Sequence, residues 1–467
     1  MPDPIEIDEL ASEVADSNFT DERLNKRLRA LVAGLAADPS RSLPASFDSA
    51  GLEAAYRFFS NHRVTPEQIL TPHIEATKKR CEAEGDFLVV HDTTIFSYRW
   101  DGEREGLGRI VRSKPNSGQR FLAHFSLAVA ADGSRRPLGV AGLKTWIREE
   151  EPSGVEYQKW EGQLRLVSDR LGGQKTAIHL MDREADDYQM FHELVRDGHR
   201  FVARCLHNRK VETSSGDVHL RTLFEGISPT IDREVPLVRR KAKQKPIEAK
   251  IHPPRSARVA TLSVSAATVE IKRPSYRRKN AIETEPTVTL NVVRVWEPEP
   301  PAGESGVEWF LYTTEPITTP EQQLAVVDHY RARWTIEEYF KAIKTGCDFE
   351  SRQLQDYESL INLLATFAPV AYRMLLIRSE ARRAPDESAL TVLTEDHLTV
   401  LRAKGRTKLS ECPTVRELYL AIAVLGGHIK YSKQDPGWLT LARGLEKLET
   451  LTEGWLLAKL QLCRDQG

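Results

Sequence analysis

Between Thr20 and Ala36 leucines recur at Leu24, Leu28, Leu31 and Leu35, while Arg23, Lys26, Arg27 and Arg29 take the other faces. That three-and-four spacing predicts an amphipathic helix, with Thr20 as its N-cap. Pro39 and Pro44 interrupt the pattern before AAYRFFSN (54–61) predicts a second helix. The two make a small helical domain ending near residue 75.

The period then shortens. FLVVHDTT (87–94) is an apolar run closing on Asp92, which predicts a buried strand with a carboxylate at its C-terminal end. FLAHFSLAVA (121–130) and PLGVAGLKTW (137–146) predict two more strands around the turn signal DGSRR, and YQKWEGQLRLVSDRL predicts a helix. AIHLMD (177–182) repeats the strand-to-aspartate pattern and leads directly into a helix over EADDYQMFHELVRDG; RFVARC closes this series. From about 205 to 308 the chain alternates apolar and polar residues, as in RVATLSVSAATVEI and TVTLNVVRVW, which predicts a β-rich insertion rather than a linker. EWFLYTT (308–314) resumes the α/β series. Beyond about 352 the patterns LINLLATFAPVAYRMLLIRSEARR, VRELYLAIAVLGG and LTLARGLEKLETLTEGWLLAKL are helical.

YRARWTIEEYFKAIKTG (330–346) carries two stripes on one helical wheel. Ala332, Ile336, Tyr339 and Ile343 form an apolar stripe for a core. Tyr330, Arg333, Glu337 and Lys344 share an arc of about 60° on another side, at 100° per residue. A solvated charged face is the ordinary reading of such an edge.

At 467 residues two or three domains are expected. With 40% hydrophobic and 28% charged residues the chain is of the soluble globular class, and no run of about 18 apolar residues predicts a membrane span. The start, MPDPIEIDELASEVADS, is acidic and has no basic or apolar leader segment, so secretion is not expected. Five scattered cysteines form no C-x-x-C pair, which disfavours a zinc or disulfide framework and suits a reducing cytosol. A net charge of −1 hides local asymmetry: residues 1–20 hold six acidic and no basic side chains, whereas 239–258 hold eight basic and one acidic. Faces of that kind suit DNA contact.

Two strands ending in aspartate and a helix presenting Glu337 can bring Asp92, Asp182 and Glu337 together in a mixed sheet. Clustered carboxylates repel unless cations neutralise them, and hard oxygen donors suit Mg²⁺ or Mn²⁺. Singly, each has a plainer role: Asp92 in a turn or cap, Asp182 as a helix N-cap, Glu337 in a surface pair.

HDTTIFSY, MDREADDY and YRARWTIEEYFKAIKTG resemble the catalytic motifs of the DDE transposases of bacterial insertion sequences. The likeness is to the hairpin-forming group that includes the transposon-five transposase, whose Y-(2)-R-(3)-E-(6)-K signature is matched by Tyr330, Arg333, Glu337 and Lys344. AAYRFFSN and VLGGHIKYSK extend it over nearly the whole chain. The resemblance implies an α/β RNase H-like core with a β-rich insertion between helical N- and C-terminal domains. The implied divisions are 1–75 for DNA-end recognition, 76–378 for catalysis with the insertion at about 205–308, and 379–467 for dimerisation. It implies that Asp92, Asp182 and Glu337 bind two Mg²⁺ or Mn²⁺ ions. Tyr330, Arg333, Lys344 and Arg204 are then expected on DNA phosphates, and Trp309 under a flipped base. Without the motif Trp309 is equally a core residue.

By the same resemblance Arg23, Lys26, Arg27, Arg57 and Arg63 read the transposon end, and the run from Arg239 holds flanking DNA. The stripe Leu441, Leu445, Leu448, Leu451 and Leu456 is a core face or a homodimer contact, with the paired-end synapsis of the family favouring the contact. The implied partners are double-stranded DNA (terminal repeats and target) and a second copy, with no membrane, no nucleotide cofactor, and a cytoplasmic, nucleoid-associated place. The resemblance departs at two points: no methionine lies between Met1 and Met181, and Leu206 stands where a basic residue is expected. A catalytically silent DNA-binding regulator and an RNase H-like nuclease without strand transfer are the competing functions.

Overall fold

The computed structural model describes residues 13–14, 17–99, 102–110, 118–147, 156–173, 175–242, 253–275, 283–404, 407–429 and 435–465. Two compact units form: one of residues 1–87, 92–151 and 334–467, the other of 88–91 and 152–333.

The first unit opens with helices Glu22–Ala37, Ser49–Phe59 and Pro66–Glu84. Asp21 rather than Thr20 caps the first, its carboxylate accepting from the Arg23 amide at 3.0 Å. Leu28, Leu31 and Leu35 of the stripe are buried, and Leu24 is half-buried. Helix Pro66–Glu84 runs through the boundary expected at 75, and helix Tyr357–Arg383 through most of the approach to the one at 378 and beyond it. The strands are β1 (Phe87–Tyr98), β2 (Gly108–Arg109), β3 (Gln119–Ala130) and β4 (Pro137–Trp146), with β2, β4 and β1 all paired to β3. Residues 92–98 of β1 count with this unit and 88–91 with the other. β4 lies so close to helix Pro66–Glu84 that a Cβ on Gly139 would meet Thr77 Oγ1 at 2.0 Å, and its φ of +146° also suits only glycine.

Helix Tyr357–Arg383 is the apolar core helix of this unit. It holds an 18-residue window of mean hydropathy 1.7, long and apolar enough to cross a membrane, yet that window is wholly buried inside the protein. It packs on the three N-terminal helices, on β4 and on helix Val415–Leu425, and a helix apolar all round is a core helix in such a setting. The C-terminal leucine stripe falls mostly to the core alternative. Leu441, Leu445 and Leu448 are at most 3% exposed because helix Trp438–Asp465 packs on Glu395–Lys404 and Val415–Leu425. Those three leucines are core; Leu451 is half-buried and Leu456 exposed.

The second unit runs β1-β5-β6-β12-β11-β10-β7-β8, with β9 also paired to β10. The further strands are β5 (Ala177–Met181), β6 (Arg200–Arg204), β7 (Lys210–Thr213), β8 (Gly216–His219), β9 (Ile231–Leu237), β10 (Arg258–Lys272), β11 (Thr287–Trp296) and β12 (Glu308–Thr313). β5 and β6 are parallel; β6, β12, β11 and β10 continue antiparallel. The insertion is therefore more of the same sheet, because its β-branched, alternating strands offer one face to a core of Phe191, Phe201, Phe224, Phe310 and Tyr312. Helices Glu156–Arg170, Tyr188–Arg196 and Pro320–Ala332 accompany it. A mixed sheet with helices is consistent with the RNase H-like core.

Candidate active site

In the second unit, β5 ends at Met181 and Asp182 follows. The chain does not pass directly into a helix as expected. Asp182 caps a 3₁₀ turn over Arg183–Ala185, accepting from the Glu184 amide at 2.8 Å, and helix Tyr188–Arg196 starts after its own cap, Asp187. Met181 pairs with Ala203 on the parallel neighbour, so Asp182 and Arg204 are the next residues on adjacent strands. Arg204 pairs with Leu311 of β12, and Trp309, two residues from Leu311, shares its face.

On that face the Arg204 guanidinium carbon stands 5.8 Å from the Trp309 ring centroid. Tyr330, near the end of helix Pro320–Ala332, meets the indole edge-on, with centroids 5.7 Å apart and planes at 67°. The Tyr330 phenol lies close enough to Arg204 for each to act on the other's charge. Burial pulls the Arg204 pKa below its ordinary value; Tyr330 opposes this, and the positive charges of Arg183 and Arg333 add to it. Burial likewise pushes the Tyr330 phenol up, with Arg204 and Arg333 acting downward and Asp182 upward. Asp182, Arg204, Trp309, Tyr330 and Arg333 thus share one electrostatic neighbourhood. Tyr330, expected on an exposed edge, is only 3% exposed, with the indole against it. Arg183 joins this neighbourhood as well, and its position directly after Asp182 in MDREADDY is the signal for it in the sequence.

In the first unit Asp92 lies in the middle of β1 and not at a strand end, since TIFSY keeps alternating beyond it. Its Oδ1 accepts from the Thr93 amide at 2.8 Å, and Thr93 Oγ1 lies 2.9 Å from Nδ1 of His124. Burial, with Lys144 adding to it, pushes the His124 pKa down to about 3, so the imidazole is neutral. Glu337 sits in the first turn of helix Trp334–Lys341.

The expected single helix over 330–346 is interrupted twice, by the turn at Arg333 and by a π-helical turn over Ala342–Gly346. Ala332, Ile336, Tyr339 and Ile343 are all buried as expected. The polar arc is not kept to its end, because the wider π-turn rotates Lys344 relative to a 3.6-residue helix. Lys344 Nζ instead donates to the Ile95 carbonyl of β1 at 2.5 Å, 5.2 Å from the Phe96 ring centroid and 4.0 Å from Glu350. Burial lowers its pKa and Glu350 opposes the change.

Asp92, Asp182 and Glu337 are all half-buried, and their oxygens suit a hard divalent cation. Among the described residues no group of three or more His, Cys, Asp or Glu side chains stands where it could hold one ion.

Of the expected DNA-end residues, Arg23 pairs with Asp21 at 2.8 Å and Arg57 with Glu53 at 2.5 Å, both on the surface. Lys26 and Arg63 are exposed and Arg27 half-buried. In the basic run from Arg239, residues 243–252 lie outside the described ones, and Arg258 is held by Glu297 and Glu304.

Residues 8–64 match the family model described as transposase DNA-binding, and residues 161–368 match the transposase DDE domain. A solved structure titled "Cryo-EM structure of piggyBac transposase synaptic complex with hairpin DNA" overlaps 87% of this chain and 88% of that chain, at 10% identity and a TM-score of 0.34.

Proposed function

We propose that this chain, whose matched segments support a DDE-type transposase, is a cut-and-paste DNA transposase that cleaves through a nick and a hairpin. The observation that carries the reading is the Arg204–Trp309–Tyr330 cluster beside Asp182, inside the segment matched to the DDE domain. Three guanidinium groups, from Arg183, Arg204 and Arg333, act in one neighbourhood, and the charges of Arg183 and Arg333 oppose that of Arg204. A DNA phosphate relieves that repulsion and offers each planar fork two acceptors. Trp309 supplies a stacking face for an extruded base. Tyr330 braces the indole edge-on.

Asp92, Asp182 and Glu337 are the carboxylates that would hold two divalent cations, Mg²⁺ or Mn²⁺, which would supply charge stabilisation for phosphoryl transfer. The surface pairs of Arg23 and Arg57 are weak and exchange readily for phosphates, which suits DNA-end reading with Lys26, Arg27 and Arg63. A second copy would pair the two ends, and the nucleoid is the site of action.

The test uses end-labelled DNA from the borders of the element that carries the gene, with Mg²⁺, Mn²⁺ or Ca²⁺. Nicked, hairpin and joined species in time order support the reading. Binding without cleavage in any metal makes the chain a regulator, and cleavage without hairpin or joining makes it a plain nuclease.

A further inference from the structure

The turn that begins at Asp182 ends at Asp186, and the Asp186 side chain is fully buried in the second unit. Its Oδ2 accepts from the amides of Leu206 at 2.6 Å and His207 at 2.8 Å. Its Oδ1 accepts from Arg209 Nε at 3.0 Å and Nη2 at 2.6 Å, and Nη2 also donates to the Asp186 carbonyl at 2.9 Å. One buried carboxylate therefore satisfies four donors, all of them on three residues, Leu206, His207 and Arg209, that lie two to five places after Arg204. Cys205 adds a bond from its amide to Phe310 on β12. Such a network is costly to build half-made, because a buried charge without its partner is strongly unfavourable.

We infer that Asp186, with Arg209, is a positioning residue: it locks the chain leaving β6 to the turn carrying Asp182, and so fixes the Arg204 guanidinium over Trp309. Neither residue reaches the cluster itself; each acts through the backbone that follows Arg204. This also gives Leu206 a part, since its amide is held while its side chain is 49% exposed. The inference rests on the proposed function only for its effect on DNA cleavage; the locking itself belongs to the free protein.

The free protein supplies the first test. The full chain labelled with 5-fluorotryptophan has eight tryptophans, and the Trp309 ¹⁹F resonance is identified by its loss in Trp309→Phe. Asp186→Asn should shift the Trp309 resonance in the direction produced by Arg204→Ala, leaving the other seven in place. Arg209→Lys keeps the charge, loses the fork, and should move the same resonance by a smaller amount; it carries the test alone if Asp186→Asn does not fold. An unmoved Trp309 resonance in the folded variants, or an equal shift of all eight, overturns the inference. On DNA, Asp186→Asn should lower the cleavage rate at saturating DNA about 10- to 100-fold with little change in binding. Asp186→Asn in the Arg204→Ala background should add nothing further; additive losses also overturn the inference. If the variants shift the resonance but the unsubstituted protein itself cuts no DNA, the transposase reading falls and the lock stands.

Discussion

Lys344 donates its ammonium to the carbonyl of Ile95 at 2.5 Å, three residues along β1 from Asp92. A side chain expected to grip DNA is thus fastened, without DNA, to the strand that carries a candidate metal ligand. The ammonium rests over Phe96, and the same stretch of β1 is held by Glu350 through the Ser97 amide at 2.7 Å.

Lys344→Met removes the charged donor while keeping the apolar stem. It should destabilise the protein by about 1.5–3 kcal/mol, the usual worth of a hydrogen bond to a charged group. Denaturant melts of both proteins measure this. Equal midpoints would show that the ammonium is not held on β1 in solution.

Asp92→Ala, Asp182→Ala and Glu337→Ala should each abolish cleavage in Mg²⁺ while binding to the DNA end changes little. Gel shifts in Ca²⁺ and cleavage in Mg²⁺ separate the two. Nicking that survives one substitution removes that residue from the metal site.

Trp309→Ala should leave the first nick nearly unchanged and slow hairpin formation about five- to 150-fold, the rate equivalent of roughly 1–3 kcal/mol of base stacking. An abasic nucleotide at the extruded position should restore part of the rate. Time courses on denaturing gels report both species. A parallel fall of nick and hairpin would make Trp309 a packing residue for Tyr330.

Glu449 gives a pH test in the first unit. Burial raises its pKa, but Arg373 at 2.7 Å and His397 outweigh that and hold it at about 2 against an ordinary 4.5. The unfolded chain therefore binds more protons between pH 2 and 4.5, so this contribution is complete above 4.5 and is lost as pH falls toward 2. Glu449→Gln should cost about 3 kcal/mol at pH 7, and the gap from wild type should narrow through that window. Urea titrations at pH 7, 4 and 3 check it; a gap constant with pH would falsify the assignment.

The parts of this molecule legible in the sequence were those set by local period. Ala332, Ile336, Tyr339 and Ile343 announced a core face, and all are buried, because helical spacing alone decides that stripe. β10 and β11 lie where alternation predicts them. Lys344 could not be placed, since the π-turn at 342–346 changes the rotation per residue and no side-chain pattern marks it. The apolar run FLVV closes on Asp92 and so predicts a strand end there, whereas pairing to neighbouring strands carries β1 on to Tyr98. Tyr330 packs against Trp309 some twenty residues earlier, and Leu441 and Leu448 against other helices; neither partner is visible along the chain.

The insertion has a consequence for anyone wishing to trim or graft it. β12, which presents Trp309, is hydrogen-bonded along one side to β6 and along the other to β11. Excising residues 205–307 to obtain a minimal enzyme would leave that second side as a bare row of amides and carbonyls, a template for foreign strands. The segment behaves as masonry rather than ornament: it cannot be swapped between relatives unless the replacement brings its own strand to seal β12.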